Sequence, residues 1–518
     1  MIVEIVKGLS NDELKIVGPN VGSLISDLCK VFSASNPGAF FMKQYGYGAP
    51  SKIYAVNQFG FFNDGLIFEV LKYIKLNYPS ATIKLADHTK TVISNRLPLR
   101  QFASNYIGVE NISTKIEFRP YQIEAINAVI KQGYGRCMFE CPTGSGKSFI
   151  IANLIHTLKS QYNNNIRTLL FLPNSQLVSQ FTKDLADYGY TDKDMLAYTP
   201  LTIKKHKTQE FLDCQIIISN RQFLLNRLKH LGKFDLLIVD EVHSCSPGSK
   251  TETMIKSISA PMKVGCSGTV PTDKLKYWNL LHLFGPVVYR ESITKLQSEG
   301  YLTGVKFTLI KVKDMVVERN RNLLFNLHPL VKYSEDSEIA FNAAYTAETE
   351  YMSENCMNLY SPVLQQMQLA QGNTLILFDR IEFGKALFEF LKTSKYNDAE
   401  FYYIDGSIAV DDRETIRTAC ESTNNVIVVA QVSIMSVGIN IKNLTNLIMT
   451  GSNKSHSRTI QAIGRLLRLH ENKSYAHIYD IVFYNYKYSK RHYNERRELY
   501  KKYYNKHKPD EVVSVTLD

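Results

Sequence analysis

The segment MFECPTGSGKSFI combines an apolar strand, a glycine-rich turn and the start of a helix. Gly144 and Gly146 let the backbone turn tightly, so that its N–H groups and the helix N-terminus face an anion. In this arrangement Lys147 would reach the β- and γ-phosphates of a nucleotide, and the Ser148 hydroxyl would bind Mg²⁺. Cys141 occupies the first position of the general G-x-x-x-x-G-K-[ST] pattern, which is usually glycine. The predicted nucleotide-binding loop consists of Thr143, Gly144, Ser145, Gly146, Lys147 and Ser148.

A second candidate site is the acidic pair Asp240 and Glu241 in the segment FDLLIVDEVH. Five of the six residues before the pair are apolar, so the pair should end a buried strand at the carboxyl edge of a sheet. There Asp240 would hold Mg²⁺ through water, and Glu241 would orient and deprotonate an attacking water. An acidic pair on an exposed surface fits this context poorly. The loop and the pair together predict an ATP hydrolase whose cofactors are ATP and Mg²⁺.

Apolar strands alternate with helical stretches from Phe118 to about Pro286, and a second such set begins near Val305. Strands that are apolar on both faces and separated by helices indicate parallel sheets covered on both sides. The sequence therefore predicts an α/β fold class with two tandem domains. The predicted strands are RCMFECP, TLLFLP, CQIIISN, LLIVDE and KVGCSGT in the first domain, and KFTLIKV, TLILFD, FYYIDG, VIVVAQ, NLIMTG and AHIYDI in the second.

Two further regions flank these domains. Residues 1–112 indicate a small α+β module, with strands at EIVKG, ELKIVG, KIYAVN and ATIKLA and helices near residues 21–32 and 66–74. The tail YNYKYSKRHYNERRELYKKYYNKHK is dense in Lys, Arg and Tyr and predicts one helix that ends before Pro509. The predicted domains are residues 1–112, 113–290, 291–485 and 486–518, the last being a basic helical tail.

The composition is that of a globular protein with an excess of positive charge. The chain has 518 residues, 44% of them hydrophobic and 21% charged, which favours roughly three to four domains. The net charge of +12 favours polyanionic partners such as nucleic acid, although charge alone does not decide the partner. The eight cysteines form no C-x-x-C pair, and the N-terminus has no signal-peptide pattern. Since no uncharged apolar run reaches membrane-spanning length, we expect a soluble cytoplasmic protein with buried free thiols and no membrane partner.

The motifs of the first domain resemble, in order, those of superfamily 2 helicases. DEVH resembles the D-E-x-H box, FRPYQ the adenine-recognition motif, and SGT the motif that couples hydrolysis to domain movement. LPNSQLVSQF and SNRQFL resemble two nucleic-acid-contacting motifs. The resemblance implies that Gln122 reads the adenine edge and that His243, Ser267 and Thr269 have coupling roles. The DNA contacts that it implies in this domain are Pro173, Asn174, Gln180, Ser219, Asn220 and Gln222.

The second domain carries the remaining motifs of this superfamily. TLILFDRIEFGKAL resembles the motif that opens the second RecA-like domain, IMSVGINI one that touches both nucleotide and strand, and QAIGRLLR the final motif. The resemblance implies that Gly438 contacts nucleotide and strand, that Ser436 contacts the strand and that Gln461 has a coupling role. Arg465 and Arg468 would be arginine fingers, which stabilise charge on the γ-phosphate when two RecA-like domains close on it. Surface salt bridging is the alternative for these two arginines. The predicted catalytic residues are Lys147, Asp240, Glu241, Arg465 and Arg468.

Within the superfamily, the chain resembles phage-encoded helicases of the UvsW type, which are functionally similar to RecG. SGTVPT, QAIGRLLR followed by AHIYDI, and the N-terminal segment FFMKQYGYGAPSKIYAVN carry this resemblance. It implies a monomeric DNA helicase or translocase that remodels forks, four-way junctions, D-loops or R-loops in phage replication, recombination and repair, in the host cytoplasm. The partners would be branched, single-stranded and duplex DNA, with RNA–DNA hybrids as a further candidate substrate. Residues 1–112 would bind branched DNA.

Other functions fit parts of the same pattern. A duplex DNA translocase subunit of a restriction-type system would need a partner subunit, because this chain shows no nuclease motif. An RNA helicase is disfavoured by DEVH in place of DEAD and by the UvsW-like N-terminus. A non-enzymatic clamp or scaffold would need a degraded site, whereas Lys147, Glu241 and both arginines are present.

Two aromatic segments have two interpretations each. The basic tail could bind DNA through charge and stacking, or it could be a solvated helix that packs its tyrosines on the second domain. The aromatic residues near Lys43 could contact a DNA junction or fill the core of the N-terminal module. These aromatic residues are Phe40, Phe41, Tyr45 and Tyr47.

Overall fold

The computed structural model divides the chain into two compact units, Met1–Cys141 with Gly146–Arg290, and Pro142–Ser145 with Glu291–Asp518. Several predicted functional residues lie outside the described residues, namely Phe40, Phe41, Lys43, Tyr45, Tyr47, Ser436 and Gly438. The structure describes residues 1–10, 12–36, 39, 50–87, 89–90, 108–131, 135–162, 165–225, 227–320, 338–366, 372–393, 399–408, 410–435, 441–451, 456–471 and 473–518.

The N-terminal module is a mixed sheet packed against helices. Its elements are β1 (Ile2–Lys7), β2 (Glu13–Val17), α1 (Gly22–Val31), β3 (Ser33–Ser35), β4 (Lys52–Tyr54), β5 (Phe61–Asn63), α2 (Ile67–Asn77) and β6 (Thr82–Leu85). β2 pairs antiparallel with β1 and β5, and β6 runs parallel to β1. Buried and exposed residues alternate along β1 and β2, as expected for strands with one face on the core. The four predicted strands and both predicted helices of the module are confirmed.

The first large domain has a parallel sheet that is seven-stranded over the described residues, in the order β13-β7-β12-β11-β8-β10-β9. Its elements are α3 (Pro120–Lys131), β7 (Arg136–Glu140), α4 (Lys147–Gln161), β8 (Thr168–Leu172), α5 (Ser175–Tyr188), β9 (Met195–Ala197), α6 (Pro200–Lys205), α7 (Thr208–Asp213), β10 (Ile216–Asn220), α8 (Arg221–Leu224), β11 (Leu236–Asp240), α9 (Lys250–Ser257), β12 (Met262–Ser267), α10 (Lys274–Phe284) and β13 (Val287–Arg290). Every residue of β8, β10, β11 and β12 is buried, which explains their continuous apolar sequences.

The strand order brings the candidate motifs to one edge of this sheet. β7, β12 and β11 are neighbours, and the register pairs Glu140 with Ser267 and Asp240 with Cys266. The carboxyl ends of parallel strands meet at the same edge, where open α/β sheets bind their ligands. The segments that follow β7, β11 and β12 therefore start next to one another.

The second large domain repeats this architecture, with a parallel sheet that is again seven-stranded over the described residues, in the order β16-β17-β15-β18-β19-β14-β20. Its elements are α11 (Ile293–Ser298), β14 (Gly304–Asp314), α12 (Met315–Arg319), α13 (Glu338–Glu354), α14 (Cys356–Gln366), β15 (Thr374–Phe378), α15 (Ile381–Thr393), β16 (Glu400–Ile404), α16 (Val410–Ser422), β17 (Val426–Gln431), α17 (Val432–Met435), β18 (Asn446–Met449), α18 (His456–Leu466), β19 (Tyr475–Phe483), α19 (Lys487–Tyr504) and β20 (Glu511–Leu517). The α/β fold class with two tandem RecA-like domains is confirmed.

The basic tail packs on the second sheet. Helix α19 ends at Tyr504, before Pro509 as predicted, and β20 then pairs in parallel with β14. Tyr488, Tyr493 and Tyr500 of α19 are buried. Of the two interpretations of the tail, the packed helix with tyrosines on its apolar face is therefore the one that the structure supports. The strand β20 was not predicted from the sequence.

The N-terminal module is continuous with the first large domain, because buried residues of both belong to one hydrophobic cluster. The rings of Phe32 and Trp278 lie 6.3 Å apart. Nδ1 of His282 on α10 lies 2.5 Å from Oδ1 of Asn63, at the end of β5. Gly65 is closely packed there, since an added Cβ would lie 2.5 Å from both Cα of His282 and the carbonyl oxygen of Leu281. The module is thus seated directly on α10.

In the part of the chain that the structure describes, no helix combines the length and the apolar character needed to cross a bilayer. Seven of the eight cysteines are buried free thiols, as expected, and Cys29 is half-buried.

Candidate active site

The loop between β7 and α4 turns on two glycines with left-handed backbone conformations. φ is +88° at Gly144 and +80° at Gly146, a region that favours glycine. An added Cβ on Gly146 would lie 2.8 Å from Nε2 of Gln122. Gly146 also precedes α4 without offering a side-chain cap to the first helical N–H groups. The backbone thus forms a cradle free of side chains at a helix N-terminus, which fits a phosphate group.

Gln122 lies beside this cradle at the start of α3. Its side chain is buried, and its Oε1 accepts a hydrogen bond of 3.0 Å from the backbone N–H of Arg119. That bond fixes the amide, so that Nε2 faces Gly146. The position next to the phosphate loop fits the expected adenine contact of Gln122, which stays a prediction.

The acidic pair ends β11 in a buried environment. Asp240 is 4% exposed, and the Cys266 thiol donates a hydrogen bond of 3.3 Å to its Oδ1. Burial and the adjacent Glu241 carboxylate raise the pKa of Asp240. Burial alone would also raise the pKa of Glu241, but the charge of Lys147 and hydrogen bonds from His243 and Ser267 lower it. The site therefore holds closely spaced negative charge with Lys147 nearby.

This donor set fits Mg²⁺, which prefers oxygen ligands and keeps several waters. Asp240 offers a carboxylate whose pKa is raised by burial and by the neighbouring Glu241, and a divalent cation would favour its charged form. Ser148 offers a hydroxyl, whose Oγ lies 2.8 Å from the hydroxyl of Tyr188. Ser148 and Asp240 are the residues that would hold the ion, as the sequence predicts.

A hydrogen-bond network joins Glu241 to the SGT segment. Nδ1 of His243 lies 3.1 Å from Oε2 of Glu241 and 3.0 Å from Oγ of Ser267. Ser267 Oγ lies 3.2 Å from the same Glu241 oxygen and 2.8 Å from the carbonyl oxygen of Thr269. The three residues with predicted coupling roles in this domain are therefore assembled around the predicted catalytic carboxylate.

Glu140 is a functional candidate that the sequence analysis missed. It ends β7, and its Oε1 accepts a hydrogen bond of 2.9 Å from the backbone N–H of Val270, directly after SGT. Its Oε2 lies 3.3 Å from Nε of Arg290 at the end of β13. The available sequence signal is a charged residue at the end of a buried strand, immediately before the phosphate loop. Glu140 thus connects three segments at the same sheet edge.

The predicted DNA-contacting residues lie at the carboxyl ends of β8 and β10. Asn174 and Asn220 cap α5 and α8, accepting from the N–H groups of Leu177 and Phe223. Both asparagines therefore serve the local structure as helix caps. The Ser219 hydroxyl is buried and donates to the carbonyl of Tyr198. Pro173 and Gln180 are half-buried and Gln222 is exposed. Their DNA contacts stay predictions.

The predicted arginine fingers belong to the second unit. Gln461 and Arg465 lie on α18 and are each 8% exposed. Arg468 follows the helix and is half-buried. Thr303 fixes this segment, because its N–H and hydroxyl donate to the carbonyls of Leu467 and Arg468 at 2.8 Å and 3.1 Å. The finger roles stay predictions.

Comparisons with known proteins match both large domains. Residues 115–272 match the family described as type III restriction enzyme, res subunit, and residues 357–470 match the helicase conserved C-terminal domain. The ATP-dependent DNA helicase UvsW of Enterobacteria phage T4 is 23% identical over 351 residues, which cover 67% of this chain and 65% of that protein.

The chain belongs to the superfamily 2 helicases. The matches confirm the predicted resemblance to helicases of the UvsW type, and this chain spans 65% of the length of the T4 protein. Another relative of this superfamily 2 helicase is the DNA 3'-5' translocase XPB2 of Sulfurisphaera tokodaii, 24% identical over 412 residues, which cover 76% of this chain and 88% of the relative.

Among solved structures, the superfamily 2 helicase fold of this chain matches the ATP-dependent Type ISP restriction-modification enzyme LlaBIII bound to DNA. The TM-score is 0.54 at 16% sequence identity, and the match covers 87% of this chain and 34% of that chain. At this identity the likeness establishes the fold and nothing further.

Proposed function

We propose that this helicase is an ATP-driven DNA motor that remodels branched DNA, such as forks, four-way junctions, D-loops and R-loops. The proposal that ATP hydrolysis drives movement rests on the hydrogen-bond network from Glu241 through His243 to Ser267. It connects the carboxylate that would meet the attacking water to the segment expected to transmit hydrolysis into movement.

The chemistry follows from the side chains at the sheet edge. Glu241, held by His243 and Ser267, orients a water and accepts its proton on a carboxylate oxygen as the water attacks the γ-phosphate. Lys147 neutralises charge on the β- and γ-phosphates. Mg²⁺, held by Ser148 and Asp240, supplies further neutralisation of the phosphate charge when bound.

Three observations support DNA, and branched DNA in particular, as the substrate. The relatives are named as a DNA helicase and a DNA translocase. The net charge of +12 favours a polyanion. The N-terminal module is seated on α10, the first helix after the SGT segment, so DNA bound by the module would be held next to the coupling residues. By this proposal the motor acts as a monomer in the cytoplasm of a phage-infected host, in replication, recombination and repair.

A second candidate function is that of a duplex translocase in a restriction-type system. Residues 115–272 match a family described as the res subunit of type III restriction enzymes, which supports this second candidate. Such a motor would move along duplex DNA without separating its strands.

A substrate panel distinguishes the two functions. Strand separation is measured on forks, four-way junctions, R-loops and plain duplexes, and translocation is measured by displacement of a third strand from a triplex. We expect forks, junctions or R-loops to be processed faster than plain duplexes at equal ATP. Triplex displacement without strand separation on any substrate would favour the restriction-type motor. Lys147→Ala is the control, and it should fail on every substrate.

A further inference from the structure

Helix α19 has two faces of opposite character. The buried face carries Tyr488, Tyr493, Tyr500 and Tyr504 together with Arg496. Arg496 is neutralised there, because Nε and Nη2 lie 3.0 Å and 2.6 Å from the two carboxylate oxygens of Asp480. The outer face carries six exposed cations, namely Lys487, Lys490, Arg491, Arg497, Lys501 and Lys502, which we call the α19 cation stripe.

The cations are much more numerous than the acidic groups beside them. Glu495 and Glu498 are the carboxylates of α19, and they lie 3.3 Å from Arg491 and 3.9 Å from Arg497. Past the helix, Lys508 is exposed, whereas Lys506 is paired with Asp510 at 2.6 Å. The surface is therefore strongly positive along the helix itself.

The helix dipole explains the two cations of the last turn, Lys501 and Lys502, but not those at the start of α19. A helix N-terminus carries a partial positive charge and favours acidic residues, at ~0.3–1 kcal/mol each. The first turn of α19 has no acidic residue and starts with Lys487, and Lys490 and Arg491 follow. The acidic group at this helix end comes from α13 instead. The two carboxylate oxygens of Glu348 accept hydrogen bonds from the backbone N–H groups of Tyr488 and Ser489. Cations kept at an unfavourable helix end indicate a role outside the fold.

The spacing of the stripe fits a nucleic-acid backbone. Residues 487, 490, 491, 497 and 501 recur every three to four positions or multiples of that, which places them on one helix face. With ~1.5 Å rise per residue, the stripe from Lys487 to Lys501 is about 21 Å long. Phosphates of one DNA strand follow at ~3.4 Å per base pair along the axis, so the stripe extends over about six base pairs.

The burial of the α19 tyrosines favours duplex over single-stranded DNA as the ligand of the stripe. Proteins that grip single strands combine positive charge with exposed aromatic rings on which bases stack. Four of the five tyrosines of α19 are buried, and the fifth, Tyr503, is half-buried with its ring 4.7 Å from Nζ of Lys502, so the stripe offers charge with little stacking surface. We propose that the α19 cation stripe binds the phosphate backbone of duplex DNA, independently of base sequence. This inference deepens the proposed function, because it names a duplex-holding surface on the motor.

The test is the salt dependence of duplex binding by the full chain without ATP. The variant is Lys490→Gln/Arg491→Gln/Arg497→Gln/Lys501→Gln, and the probe is a blunt DNA duplex longer than one helical turn. Each lost phosphate contact lowers the slope of log K against log salt by about 0.9, so the loss of all four contacts should lower it by about 3.6. The matched control Lys313→Gln/Lys385→Gln/Lys392→Gln/Lys442→Gln removes the same charge from other exposed positions of the second unit and should keep the wild-type slope.

The outcomes separate this inference from the proposed function. An unchanged slope in the stripe variant, or an equal fall in the control, overturns the inference. A fall on single-stranded oligothymidine as large as on the duplex also overturns it, because the surface would then not prefer duplex. Thermal melting checks the fold, and we expect the stripe variant to melt near wild type, since the four side chains are exposed and the loss of Lys501 from the last turn offsets the removal of Lys490 from the first turn. Absence of ATP hydrolysis in the wild type would reject the proposed function and leave this binding result standing.

Discussion

Glu241 adopts a left-handed backbone conformation, with φ of +52° and ψ of +49°. Non-glycine residues in this region store ~1–3 kcal/mol of strain, which persists where the surroundings over-determine the geometry and is concentrated at functional sites. Here the surroundings are His243 and Ser267, which hold the carboxylate. The left-handed conformation thus occurs at the residue whose carboxylate contacts His243 and Ser267, in keeping with a role in the reaction.

Glu241→Gln tests the role of this carboxylate as a base. The amide has nearly the same shape but accepts no proton, so DNA-stimulated phosphate release should fall by ~10²–10⁴-fold. ATP binding, measured with a fluorescent analogue, should be retained, because Lys147 and the loop backbone are unchanged. Glu299→Gln, at an exposed position, is the matched control and should hydrolyse ATP at the wild-type rate. Undiminished turnover in Glu241→Gln would remove the catalytic assignment.

Glu140→Ala tests whether the bridge between SGT and the end of β13 matters for coupling. The change leaves the N–H of Val270 without its carboxylate acceptor and Arg290 without its partner. Losing a hydrogen bond to a charged group costs ~1.5–3 kcal/mol, or about tenfold or more in an equilibrium. We expect the ratio of DNA-stimulated to DNA-free phosphate release to fall by about that factor. Arg290→Gln removes the ion pair alone and should give a smaller fall. Equal ratios in wild type and Glu140→Ala would show that Glu140 serves the fold only.

At the scale of elements, interior strands and local motifs could be predicted from the sequence, whereas edges and distant contacts could not. β8 and β11 are buried along their whole length and have an unmistakable apolar run. β13 and β20 are half-buried or exposed over most of their residues and lack such a run. The phosphate loop is continuous in sequence, but the contact of Glu140 with Val270 spans 130 positions. Only the fold brings such a pair together.

Glu348 on α13 caps α19, and its protonation links this contact to pH. Burial raises the pKa of Glu348 to about 7, above its ordinary value of 4.5, although the N–H groups that it accepts from lower it. Between pH 4.5 and about pH 7, the folded state therefore binds more protons than the unfolded state. The contribution of Glu348 to stability is therefore complete below about pH 4.5 and is lost as pH rises through about 7.

Glu348→Gln tests this linkage, because the amide does not ionise. The free energy of unfolding of wild type, measured in denaturant from pH 5 to 8, should fall relative to that of the variant by up to about 3 kcal/mol. Glu350→Gln, on the exposed side of the same helix, is the control and should follow the wild-type curve. Parallel curves for wild type and Glu348→Gln would contradict the raised pKa.

At the scale of the whole molecule, the N-terminal module is built into the first helicase domain. Buried residues of the module and of α10 belong to one cluster, and Trp278 of α10 packs on Phe32. Lys274, at the start of α10, donates to the carbonyls of Val31 and Ser33 at 3.3 Å. Deletion of residues 1–112 would expose this apolar surface of α10, so loss of activity in the deletion would not separate a DNA-binding role from a structural one.

Gly65→Ala separates these roles with a single methyl group. The added Cβ would lie 2.5 Å from the backbone of His282, so the module must shift on α10 while both keep their own cores. Overpacking of this kind costs ~1–3 kcal/mol. Gly22→Ala is the matched control, because a Cβ there meets no atom within 4 Å.

If the module positions branched DNA against the motor, Gly65→Ala should reduce the preference for forks and four-way junctions over plain duplex and keep DNA-free ATP hydrolysis near wild type. Gly22→Ala should keep both. A parallel loss of hydrolysis and preference in Gly65→Ala would make the module a structural support, and an unchanged preference would show that its seating on α10 is not used to present DNA.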